Sequence, residues 1–136
     1  MKKTRPQCGI IIENAQGEIL LQLRDNIPSI LYPNRWGTFG GQVDTGETPH
    51  QAIVRETKEE LDYDLKDPEF FGNYPCDGYD IYMFRQVDKN ISLRDLTVRE
   101  GRMGKFFSTK AFKKIPCAFN CREIVEDYFK KFPHKR

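Results

Sequence analysis

Apolar residues fall along this chain in short runs separated by turn formers. Residues 8–12 are an isoleucine-rich run, Asn14-Ala15-Gln16-Gly17 supplies a turn, and residues 19–23 are a second run. The pair reads as a β-hairpin. Residues 25–35 carry Pro28 and Pro33 and read as a loop, and 36–39 is a short strand running into Gly40-Gly41. The period then lengthens. Thr48 is a good N-cap, Pro49 suits the first helical position and Gln51 completes a capping box. Ile53, Thr57 and Leu61, with Val54 beside them, follow on one helical face. Residues 70–74, 80–87 and 103–107 read as strands. Ser108 caps a brief helix through Lys114, stopped by Pro116. Asn120 opens a last helix with an N-x-x-E box to Glu123, and Ile124, Val125, Tyr128, Phe129 and Phe132 form its apolar face. Strands and helices mix without regular alternation, so the expected class is α+β, a mixed sheet packed with helices.

Composition narrows this picture only a little. The 136 residues predict one domain, 1–136, and 31% charged residues with a net charge of +2 give no pull toward nucleic acid or membrane. The basic residues Lys2, Lys3, Arg5, Lys130, Lys131, Lys135 and Arg136 gather near the ends and read as solvated tails. No apolar run approaches the ~20 residues of a membrane span, and no signal-peptide core precedes Gly9. Cys8, Cys76, Cys117 and Cys121 make no C-x-x-C pair, which argues against a zinc ribbon. Cys117 and Cys121 flank the start of the last helix and could be close in space, but packed or free thiols in a reducing cytoplasm are the expectation.

The candidate chemistry lies in residues 41–63, GQVDTGETPHQAIVRETKEELDY. Glu56, Glu59 and Glu60 stand three and four apart, on one side of the predicted helix. Like charges at that spacing cost ~0.2–0.5 kcal/mol per pair. A divalent cation with oxygen ligands would reverse the penalty. An ordinary solvated helix face is the plainer alternative.

The spacing G-x5-E-x7-R-E-x-x-E-E resembles the box of the Nudix family, with Gly41, Glu47, Arg55, Glu56, Glu59 and Glu60 in register. Thr57 stands where the family has an aliphatic residue. Asp62 stands where a helix-ending glycine is usual, a position aspartate tolerates in the left-handed conformation. The preceding hairpin, Trp36 and the last helix add to the likeness. The resemblance implies a mixed sheet sandwiched between helices and Mg²⁺- or Mn²⁺-dependent hydrolysis of a nucleoside diphosphate linked to another group X, in the manner of MutT-like enzymes. It implies metal ligation by Glu56, Glu59, Glu60 and the carbonyl of Gly40, and a supporting ion pair between Glu47 and Arg55. The expected catalytic set is Glu56, Glu60, Arg55 and Glu100. Glu100 resembles the later-loop glutamate that serves some members as base or extra ligand; an exposed loop carboxylate is the alternative.

Arg24, Trp36, Gly41 and Asn120 are the expected substrate contacts, and the resemblance to mutator-type relatives implies that Arg24 meets a phosphate and Asn120 a purine. A strand-end arginine and a helix cap explain Arg24 and Asn120 equally well. Tyr32, Trp36, Tyr79, Tyr82, Phe84 and Phe119 are candidate base stackers, although aromatic residues in such numbers more often build core. Residues 74–79 read as an irregular loop able to cover the cleft. The expected partner is a nucleotide-type small molecule, with no nucleic acid and no membrane, for a cytoplasmic monomer or homodimer. A catalytically silent nucleotide-binding module is the competing reading; a Nudix-fold isomerase is more distant.

Overall fold

The computed structural model describes residues 6–134. The basic tail residues Lys2, Lys3, Arg5, Lys135 and Arg136 lie outside these. Seven strands and three helices follow in the order β1 (Gln7–Glu13), β2 (Ile19–Leu23), β3 (Trp36–Gly37), β4 (Phe39–Gln42), α1 (Pro49–Leu61), β5 (Glu69–Asn73), β6 (Ile81–Val87), β7 (Met103–Phe107), α2 (Thr109–Phe112) and α3 (Cys121–Lys131). A 3₁₀ turn, Leu93–Asp95, precedes β7.

β1 is the spine of the mixed sheet. It runs parallel to β6 along its whole length, from Gln7 opposite Ile81 to Glu13 opposite Val87. β5 pairs antiparallel with β6 through a bulge between Phe70 and Gly72. The expected β1–β2 hairpin forms only at its base, where Glu13 faces Ile19. Beyond that point the strands part and residues 36–42 wedge between them. β3 pairs with Gln22 and Leu23 of β2, and β4 pairs with residues 7–10 of β1. The segment expected as one strand is thus split at Thr38 as it crosses from one neighbour to the other. β7 takes the outer side of β2.

Alternation along the strands divides the core in two. Cys8, Ile10, Ile12, Leu20 and Phe84 face α1 and pack with Ala52, Ile53 and Leu61. Ile11, Ile19, Leu21 and Met83 face the other way, against Phe112 of α2 and Ile124, Val125 and Tyr128 of α3. The fold is α+β, a mixed sheet between helices. No helix among the described residues is long and apolar enough to cross a membrane.

Candidate active site

The acidic helix is held at both ends by local chemistry. The Thr48 hydroxyl accepts from Gln51 N at 3.1 Å, and Gln51 Oε1 accepts from Thr48 N at 2.9 Å, the reciprocal box expected. At the other end Asp62 adopts φ 51°, ψ 43° and its N–H returns to Lys58 O. Between them Ile53, Thr57 and Leu61 are buried on the core side.

Arg55 organises the polar side. Its Nε donates to Glu47 Oε2 at 2.7 Å and its Nη2 to Glu47 Oε1 at 2.9 Å, a two-pronged grip. That bond, helped by the Asp44 N–H, holds the Glu47 carboxyl down to about 2. Nη2 also reaches Gln42 O at 3.1 Å, which ties β4 to the helix. Nη1 donates to Glu56 Oε1 at 3.0 Å and to both Glu59 oxygens at 3.3 Å.

The three glutamates differ in setting. Glu59 is exposed, with 58% of its side chain open to solvent, whereas only 17% of Glu56 is open. The Glu56 carboxylate lies against Gly41, where any Cβ would collide with it. Glu60 is 4% exposed, and its Oε1 has no hydrogen-bond partner. Burial, then the carboxylates of Glu100 and Glu56, push the Glu60 carboxyl up to about 9. Glu100 arrives from a loop docked on the end of α1. Thr97 N bonds Leu61 O at 3.0 Å, Arg99 N bonds Glu60 O at 2.9 Å, and Gln22 Nε2 holds Glu100 O at 2.9 Å. Four acidic side chains of the sequence prediction therefore neighbour one another, although Glu59 sits at the outer edge.

A cleft of about 570 Å³ opens beside this cluster. Gly40, Gly41, Arg24, Gln22 and Glu100 line one part, while Cys8, Cys76, Tyr79, Ala118, Phe119 and Asn120 are among the residues lining the rest. Arg24 donates to Leu31 O from Nε and Nη2, at 3.1 and 2.8 Å, and its guanidinium lies 5.1 Å from the Phe119 ring centre. Tyr32 packs on Phe119 at 4.7 Å. Trp36 is not part of the cleft wall. Its ring stands edge-on to Phe107 at 4.7 Å in the α3-side core. Tyr82 and Phe84 likewise pack with Phe70 away from the cleft. Asn120 lines the cleft, but its side chain makes no cap bond to α3. Its Nδ2 donates instead to Tyr74 O at 2.9 Å, so the expected N-x-x-E box is replaced by a tie to the neighbouring hairpin.

Residues 74–79 are a tight hairpin. Asp77 and Gly78 both have positive φ, 52° and 83°, and Cys76 and Tyr79 exchange both backbone hydrogen bonds at 2.9 and 3.0 Å. The Asp-Gly pair between two strands carried that signal in the sequence. The cleft-lining role of the cysteines had no such local signal, because it depends on how three distant segments meet.

The donor set fits a hard divalent cation. It is all oxygen, and one carboxylate oxygen is buried without a partner. The carboxylates do not, however, form a ready-made cage. Among the described residues no group of three or more His, Cys, Asp or Glu side chains is arranged to hold a metal ion. Arg55 draws Glu56 and Glu59 toward itself, which accounts for their spread.

A family model for the NUDIX domain matches residues 3–119. The chain belongs to the NUDIX family. An uncharacterized Nudix hydrolase of Listeria innocua is 35% identical over 125 residues, covering 88% of this chain and 71% of that protein. An RNA pyrophosphohydrolase of Hydrogenovibrio crunogenus is 38% identical over 68 residues, half of this chain but only 38% of that protein's length. The NUDIX domain of Shewanella oneidensis NrtR, solved in complex with ADP ribose, superposes with a TM-score of 0.78 at 15% identity, over 96% of this chain and 90% of that one.

Proposed function

We propose that the chain is a divalent-metal-dependent pyrophosphohydrolase acting on a nucleotide. The observation that carries the reading is the buried Glu60 carboxyl, one oxygen of it without a partner, set between Glu56 and Glu100 beside a cleft. A buried carboxyl with acidic neighbours is costly to ionise unless a cation balances it, a setting typical of functional sites. The likeness to an RNA pyrophosphohydrolase and to a domain that binds ADP ribose supports a phosphoanhydride substrate.

In this reading Glu56, Glu59, Glu60 and the Gly40 carbonyl would hold Mg²⁺ or Mn²⁺, which would supply charge neutralisation at the diphosphate and a more acidic bound water. Arg55 holds the box loop through Glu47 and sets the Glu56 rotamer. Glu100 takes the proton of the attacking water, which enters at phosphorus as the bridging P–O bond breaks. Arg24 contacts a phosphate oxygen, and Phe119 with Asn120 receives the base. The products are a nucleoside monophosphate and pyrophosphate or phosphoryl-X. A silent nucleotide-binding module is the second reading, favoured by the engagement of Glu56 and Glu59 with Arg55.

The test is a panel of nucleoside triphosphates, oxidised purine forms, nucleotide sugars, ADP-ribose, dinucleotides and a short 5′-triphosphorylated RNA, with Mg²⁺ or Mn²⁺. Turnover of one class, lost by orders of magnitude in Glu60→Gln, is the expected result. Binding without turnover of any member would overturn the enzyme reading in favour of the silent module.

A further inference from the structure

All four cysteines are free thiols, and three of them line the cleft. Cys8, Cys76 and Cys121 line it, and Cys117 stands behind as the hydrogen-bond partner of Cys121. The backbone makes this contact. Residues 116–118 run beside β3, with Trp36 N bonded to Pro116 O at 2.9 Å and Ala118 N to Trp36 O at 2.8 Å. The chain then reverses through Phe119, at φ 50°, and Cys121 N closes on Ala118 O at 3.0 Å. That turn returns residue 121 beside residue 117. Cys121 is 3% exposed, while Cys117 is only partly covered.

We propose that Cys117 and Cys121 form a peroxide-responsive dithiol that closes to a disulfide in the wall of the cleft. The thiol chemistry stands apart from the hydrolase reading; its effect on turnover rests on that reading. Cys117 Sγ reaches Ile115 O at 3.8 Å, and the neighbouring Cys121 thiol, with Arg122 and Arg35 nearby, holds Cys117 down to about 7. A thiol with that value is largely thiolate at neutral pH yet still a good nucleophile. Burial pushes Cys8 up to about 12 and raises Cys76, and the Cys117 contact with burial raises Cys121, which leaves Cys117 as the thiol that attacks the peroxide.

The thiolate of Cys117 attacks one oxygen of a hydroperoxide. The O–O bond breaks, Cys117 becomes a sulfenic acid, and the alkoxide or hydroxide takes a proton to leave as alcohol or water. The Cys121 sulfur then attacks the Cys117 sulfur. The S–O bond breaks, and the hydroxide leaves as water with the Cys121 proton. Two thiols lose two electrons and the peroxide gains them. Drawing the sulfurs to about 2.05 Å shifts the 118–121 turn, which carries Phe119 and Asn120 into the cleft.

The test treats the full chain with a small excess of hydrogen peroxide and follows intact mass, peptide mapping and tryptophan fluorescence. Trp36 is the single tryptophan and its backbone pairs with residues 116–118, so it reports on the turn. Expected are loss of two hydrogens mapped to Cys117–Cys121, a parallel fluorescence change, and reversal of both by dithiothreitol. Cys117→Ser loses the reaction, and Cys121→Ala stops at a sulfenic acid trapped by dimedone. Oxygen addition at Cys8 or Cys76 with the Cys117–Cys121 thiols intact would overturn the proposal. So would a disulfide formed equally well in Cys117→Ser. If no nucleotide is turned over, these mass and fluorescence results still decide it.

Discussion

Glu60→Gln separates the cost of the buried carboxylate from its use. Without a cation, burial beside Glu100 and Glu56 pushes the Glu60 carboxyl up from the ordinary 4.5 to about 9 in the folded chain. Between those values the folded state holds about one proton more than the unfolded state. Stability therefore falls as pH rises from about 4.5 through about 9, and the contribution is fully present only below the lower value. From pH 5 to pH 8 the loss tied to Glu60 and its raised neighbour Glu56 is about 4 kcal/mol. For a chain of this size that corresponds to roughly 10–15 °C in Tm. Glutamine neither ionises nor repels Glu100, so the variant should unfold at nearly the same temperature at pH 5 and pH 8 and exceed the parent at pH 8. Excess Mg²⁺ should restore the parent at pH 8 by taking the proton's place, and should leave the variant almost unchanged. The assay is thermal unfolding by circular dichroism at four pH values, with chelator and with Mg²⁺. Parallel pH slopes for parent and variant in chelator would refute the assignment of the buried charge to Glu60. Equal Mg²⁺ shifts in both would refute its role as ligand.

Other outcomes follow from the same geometry. Arg55→Lys replaces the two-pronged grip on Glu47 with a point charge. Turnover should drop about 10–100-fold, and NMR titration should find the Glu47 carboxyl displaced upward from about 2. Thr57 is 1% exposed and its hydroxyl has no partner, so Thr57→Val should stabilise the fold by about 1–2 kcal/mol in urea denaturation. Phe119→Ala should raise the nucleotide KM by about tenfold with kcat held, since stacking contributes ~1–3 kcal/mol per base; a fall in kcat alone would place Phe119 elsewhere in the mechanism.

Legibility in the sequence followed locality. The start and end of α1 were readable because Thr48, Pro49, Gln51 and Asp62 act within one turn of the residues they satisfy. The Glu47–Arg55 pair was readable from the spacing of the Nudix box, its members eight positions apart. Asn120 misled for the converse reason. Its local pattern matches a cap, but Tyr74, 46 positions away, offers the carbonyl that its amide takes. The parting of β1 and β2 was likewise hidden, because residues 36–42 supply the strand that enters the gap. Trp36 looked like a cleft residue from its nearness to Gly40-Gly41. The break at Thr38 lies between them, and Trp36 packs on Phe107 in the opposite core. Glu100 meets Glu60 only through backbone bonds from residues 97 and 99 to the last carbonyls of α1, which no spacing rule announces.

The parallel pairing of β1 with β6 also governs how the chain comes together. Gln7 and Ile81 are neighbours in the sheet and 74 positions apart in sequence. At a synthesis rate of ~5–20 residues per second, β1 waits about 4–15 s for the strand that covers its edge. During that interval Ile10, Ile11 and Ile12, all buried at the end, form an apolar segment with high β propensity and an open ladder. Its earlier partners β2 and β4 pair on the opposite side of β1, so neither covers that edge. Folding of this molecule is therefore paced by loop closure, and β1 is the stretch a chaperone has most reason to hold.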